Sequence, residues 1–145
     1  MKFDEPHEII TGLEDDDNYF DIVRMRAGLT TRDEATKLVQ DVVLYISCGL
    51  SRDTAHEFLN VLPRAVEEHV YPRLDYETCE HPSLTGLERQ IEDKWSVELD
   101  QAARFVAAVG LSTVERLGFR EVQNFRTQLP GDLQFVFPDK ISAVA

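Results

Sequence analysis

DEATKLVQDVVLYISCGLSRDTAHEFLNVLP, residues Asp33 to Pro63, is the stretch that decides the fold. Ala35, Leu38, Val39, Val42, Val43 and Ile46 recur at spacings of three and four, so they line one broad apolar face of a helix. Just upstream, Thr31 and Glu34 form the Thr-x-x-Glu pattern in which side chain and backbone cap one another. Cys48-Gly49 marks the far end, after about five turns. Ser51 is placed to cap a shorter helix that turns Ala55, Phe58, Leu59 and Leu62 inward. Pro63 has no amide hydrogen to give a continuing helix. It suits the first turn of a third helix, whose Val66 and Val70 stand four residues apart.

The stretch has a counterpart. Sliding the chain by 67 residues lays it, without a gap, on DQAARFVAAVGLSTVERLGFREVQNFRTQLP, residues Asp100 to Pro130. Nine of 31 positions are identical, where an arbitrary register of average composition matches at roughly two. The structural positions shared in this way are Ala35/Ala102, Val39/Val106, Val42/Val109, Phe58/Phe125, Leu62/Leu129 and Pro63/Pro130. Outside the block, Phe20 falls over Leu87, Val66 over Leu133 and Val70 over Phe137. Paired amphipathic helices explain shared valines. They do not explain the paired Leu-Pro, or one register held through two helices and the turn between them.

Working outward, Tyr19 to Ala27 places Phe20, Val23 and Ala27 at helical spacing, and Gly28 stops that helix. Glu14 to Asp17 is either a solvated lead-in or a negative first helical turn. Thr85 with Glu88 gives a second capping box, ahead of Leu87, Ile91 and Trp95 on one face. Ser96 is placed to cap the second long helix, which Gly118 ends. The expected fold is all-α. Two tandem units, each a long helix, a turn, a short helix and a Pro-started helix, pack as one pseudo-twofold bundle. The units cover about residues 19–71 and 85–138, joined by a linker at 72–84. Residues 1–18 read as an acidic N-terminal extension and 139–145 as a tail.

This layout resembles an uncharacterised family, domain of unknown function 2267. The marks are Asp33-Glu34-Ala35 with Leu62-Pro63, and Asp100-Gln101-Ala102 with Leu129-Pro130-Gly131-Asp132-Leu133. The resemblance runs from about Phe20 to Phe137. It implies an all-helical prokaryotic cytoplasmic protein, and it carries no catalytic residues with it.

Composition narrows the partners. Twenty-seven acidic residues against 15 basic ones give a net charge of −12, a field that repels nucleic-acid phosphate and anionic membranes. Only four of the basic residues are lysines, a balance that a high-salt cytoplasm favours and that ordinary acidic proteins also show. No apolar run is long enough to span a membrane, and two cysteines, Cys48 and Cys79, make no disulfide framework. Cytoplasmic location with reduced thiols is the expectation.

Few residues carry chemistry. His69, Cys79 and His81, with Glu80, are the candidates for a metal site, since thiolate, imidazole and carboxylate all suit zinc. Cys-x-His is an unusual zinc spacing, and an extended Cys79-Glu80-His81 would turn Glu80 away from its neighbours. The expectation is no metal and no cofactor. His56 reads as solvated and Cys48 as a small core residue. Arg24, Arg26 and Arg32 form a basic cluster, with Arg52 near it, which the chain's own Asp15 to Asp17 can neutralise. Trp95 and Phe105 read as core. No catalytic or cofactor-binding residue is assigned. The expected function is a non-enzymatic protein-binding or regulatory module that takes a protein partner or a second copy of itself. The alternative is a small metal-dependent enzyme or sensor using Cys79 and His81.

Overall fold

The acidic run after Leu13 starts the first helix. In a computed structural model, which describes residues 12–76 and 81–138, α1 covers Asp16–Ala27. Asp15 occupies its N-cap position, and Asp16 and Asp17 sit in the first turn, where the helix dipole favours carboxylates. Gly28, at φ +76°, ends it with its amide donating to the Arg24 and Met25 carbonyls. The helix thus starts three residues before the boundary expected at Tyr19, and Leu13 ahead of it is already buried. Residues 1–11 of the acidic extension, Cys79 with Glu80, and the tail 139–145 lie outside the described residues.

The remaining elements follow the sequence pattern. They are α2 (Arg32–Cys48), α3 (Arg52–Asn60), α4 (Arg64–Val70) continued by a 3-10 turn (Tyr71–Arg73), α5 (Leu84–Trp95), α6 (Leu99–Leu117), α7 (Phe119–Arg126) and a 3-10 segment (Gly131–Val136). The protein is all-helical among the described residues, with no strand. The Thr31 box forms in full: Thr31 accepts from the Glu34 amide, and the Glu34 carboxylate accepts from the Thr31 amide. Ser51 caps α3 by accepting from the Thr54 amide.

Three expectations need correction. The second capping box does not form. Ser83, one position before α5, is its N-cap and accepts from the Gly86 amide, so Thr85 lies inside the first turn. The linker therefore ends at Ser83 rather than at Leu84. Ser96 does not start α6. It closes α5 in the left-handed region at φ +53°, and Glu98 holds the N-cap position of α6 without a side-chain bond. Finally, the proline-started segment of the second half is 3-10, not α. Only seven residues separate Pro130 from Pro138, a span that suits the tighter helix used in short pieces.

The element starts keep the offset seen in the sequence. Arg32/Leu99, Arg52/Phe119 and Arg64/Gly131, which open the paired segments, all stand 67 residues apart. Of the twelve paired structural positions, Ala35, Val39, Val42, Phe58, Leu62, Pro63, Ala102, Val106, Val109, Phe125 and Leu129 are buried, while Pro130 is exposed. Phe58 and Phe125, from the two halves, have ring centroids 5.1 Å apart, and Phe58 meets Phe137 edge-on at 5.9 Å.

α2 and α6 form the centre, with α1 lying against both and α5 packed on α6. The α1–α6 seam is partly polar. Tyr19 shares a 2.9 Å hydrogen bond with Thr113, whose hydroxyl donates to the Val109 carbonyl at 2.7 Å. Burial pushes the Tyr19 phenol up to about 12. Arg116 of α6 ties three segments together. It donates to the Leu13 carbonyl at 2.9 Å, to the Val61 carbonyl at 3.1 Å and to the Asp16 carboxylate at 3.0 Å, and it lies over the Tyr19 ring.

Candidate functional site

The residues picked from sequence for a metal site do not assemble among the described residues. His69 is half-buried on α4, and His81 is exposed in the left-handed region at φ +55°. Cys79 and Glu80 are not among the described residues, and the described ones contain no group of three His, Cys, Asp or Glu suited to one ion. The arginine cluster is internally neutralised, though not by Asp15 to Asp17 alone. Arg32 clamps Asp21 at 3.0 and 2.9 Å and reaches Asp17 at 3.5 Å, which holds the Asp21 carboxyl below its ordinary value. Arg24 stands 3.8 Å from Asp21. Arg26 turns inward, donating to Glu115 at 2.6 Å and to Ser112 at 3.1 Å. Arg52 pairs with Asp75 instead. His56 is exposed, with its ring 5.1 Å from that of Tyr71. Cys48 is half-buried at the end of α2.

One of these residues does belong to a cleft. His69 lines an open cavity of about 670 Å³ between α2, α4 and α5. α2 contributes Lys37, Gln40, Asp41 and Leu44, which share a face because they recur at three- and four-residue spacing. Arg73 follows α4 in the 3-10 turn, and Lys94 with Trp95 comes from the last turn of α5. The volume lies within the usual range for ligand sites, about 300–1,000 Å³.

Asp41 organises the cleft. One carboxylate oxygen accepts from the Lys94 ammonium at 3.0 Å and the other from the Trp95 indole N–H at 2.9 Å. The Asp41 side chain is only 12% exposed, so this pair is tighter than an ordinary surface bridge. Phe105 of α6 meets the Trp95 ring edge-on at 5.7 Å, which leaves Trp95 half-buried with part of it in the cleft. Arg73 donates to the His69 carbonyl at 2.6 Å, satisfying the end of α4. Gln40 donates to the Ala65 carbonyl at 3.2 Å, fixing α2 to α4. His69 is held below its ordinary value, first by burial and next by the positive charge of Arg73, with Asp41 opposing and Lys94 assisting. It is therefore neutral at neutral pH.

The sequence matches the family described as an uncharacterized conserved protein, DUF2267, over residues 16–136. The chain belongs to the DUF2267 family. The match runs from the first residue of α1 to the last of the 3-10 segment, so the whole helical unit is the family domain. No curated protein and no solved structure matches it. In this DUF2267 chain the cleft escaped sequence reasoning because its parts are far apart. Nothing in their sequence surroundings singles out Lys37, Arg73 or Lys94, and Trp95 reads as core. The available signal was Asp41, a carboxylate set against the edge of an apolar helix face, together with the chain's single tryptophan.

Proposed function

We propose that this DUF2267 domain is a non-enzymatic interaction module that seats a segment of a partner protein in the α2–α4–α5 cleft. The observation that carries the reading is a difference between the halves. Under the 67-residue register the core positions match, while Asp41 and His69 of the cleft fall on Ala108 and Val136, and Trp95 falls on Gly28. Packing explains the residues that both halves keep. It does not explain Asp41, His69 and Trp95, which only the cleft half carries, although Lys37, Leu44 and Arg73 fall on the like residues Arg104, Leu111 and Lys140. The corresponding ground in the other half is occupied, with Arg104 lying beside Gly28 and donating to the Arg26 carbonyl at 3.1 Å.

The same reading takes the halves as copies related by a rotation near twofold. The contact of Phe58 with Phe125 supports it, since equivalent residues meet each other only close to such an axis. In keeping with the family resemblance, the module is read as cytoplasmic.

The test uses the purified chain as bait in extract of its source organism, beside a Leu44→Trp bait whose cleft is filled without a change of charge. A protein retained by the first and lost by the second, with both baits equally folded, is the expected result. Identical captures, or none, would remove the cleft from the interaction.

A further inference from the structure

We infer that the cleft is selective for an acidic segment, one that offers a carboxylate side chain beside an apolar residue. This rests on the module reading above and names the chemistry of its partner. Lys37, Arg73 and Lys94 all line one cavity, in a chain whose net charge is −12; Lys37 also stands 3.6 Å from the exposed Asp33, while Arg73 donates to the His69 carbonyl. Asp41 is the one acid in the lining, and it is already committed to Lys94 and Trp95. Elsewhere the described arginines pair largely with their own carboxylates, as Arg26, Arg32, Arg52 and Arg64 do. Leu44 and Trp95 supply apolar ground between the cations.

Asp41 acts as a resident competitor for this ligand. Its carboxylate occupies Lys94, so an incoming carboxylate must share that ammonium or displace it. At physiological salt, charge beyond about 8 Å is screened, so the overall acidity of the chain slows encounter while the near cations decide the bound state. A long nucleic-acid strand meets that acidity along its whole length, whereas a short segment with few charges does not.

Trp95, as the single tryptophan, reports directly on the cleft. The probe is a capped helical peptide with Glu and Leu on one face, titrated while Trp95 fluorescence is followed. Its Glu→Gln and Glu→Lys counterparts and a single-stranded oligonucleotide are titrated in parallel. The Glu peptide is expected to perturb Trp95 and bind tightest, and to weaken as salt rises. Arg73→Gln and Lys94→Gln each weaken it by about fivefold, the scale of one partly exposed ion pair. Asp41→Asn, which keeps an acceptor for the Trp95 indole but frees Lys94, tightens it by a similar factor. Melting curves confirm that each variant folds. Equal binding of the Glu and Gln peptides, a preference for the Lys peptide or the oligonucleotide, or an Asp41→Asn variant that binds no better, overturns the inference. The extract test separates the two readings. A partner lost with Leu44→Trp, alongside a Glu peptide that fails, leaves a module of different selectivity.

Discussion

Single residues hold this fold at places where the chain approaches itself closely. Gly110 lies on α6 where the 3-10 segment crosses, and a Cβ built there falls 1.8 Å from the Val136 carbonyl oxygen. Backbone cannot step aside as a flexible side chain does. Gly110→Ala is therefore expected to destabilise by about 1–3 kcal/mol or more, read from the denaturant midpoint. Arg26 and Glu115 make a different kind of contact. The Glu115 side chain is 2% exposed, and it accepts from Arg26 at 2.6 Å. Arg26→Ala strands a buried carboxylate, with an expected loss of about 3–5 kcal/mol. Arg26→Ala with Glu115→Ala should recover part of that loss, and a double-mutant cycle measures how much. Neither position was legible in the sequence. Glycine within an apolar helix and arginine on a short one look ordinary until residues some 25 and 90 positions away are brought alongside.

Elements were legible where pattern and cap agreed. α2 has a continuous apolar face and a complete Thr31–Glu34 box, and it begins where that box places it. Ahead of α5, Ser83 and Thr85 are both able to cap, and spacing alone chose the wrong one. Glu88, the supposed partner of Thr85, instead faces Asp132, whose carboxylate accepts from the Leu84 amide at 2.9 Å and so tethers the second half's last segment to the start of α5. Burial and then the Asp132 charge hold the Glu88 carboxyl above its ordinary value of 4.5. The folded state thus takes up that proton more readily than the unfolded chain. Its stabilising contribution is full below pH 4.5 and is lost as pH rises through the folded value. Glu88→Gln should remove this slope, so the variant gains on the native chain as pH rises across that window in urea titrations. The Leu-Pro pairs belong to the same scale. Leu62 and Leu129, 4% and 2% exposed, each close a short helix against the core. Leu62→Ala and Leu129→Ala are each expected to cost about 2–5 kcal/mol by denaturant unfolding.

At the scale of the whole molecule, the helical class was legible because apolar periodicity extends along most of the chain. The cleft was not, since α3 separates α2 from α4 and the linker separates α4 with its 3-10 turn from α5. Among the described residues no helix is long and apolar enough to cross a membrane. Metal content is the decisive whole-protein measurement for the alternative built on Cys79 and His81. Zinc sites usually take three or four protein ligands. The expected outcome of elemental analysis, after purification without chelator, is no stoichiometric metal. About one zinc or iron per chain, lost on Cys79→Ala with His81→Ala, would instead favour the metal-dependent reading.

The seam between α1 and α6 has a consequence for how the protein is made. Tyr19 and Thr113 are 94 residues apart, and Leu13 and Arg116 are 103 apart. Ribosomes add about 5–20 residues per second, so α1 emerges on the order of 5–20 seconds before its partner helix exists. Throughout that interval Tyr19, Phe20 and Val23 can bury only what α2 is able to cover. Until α6 is made, the side of the first helix that it covers in the folded protein has no partner.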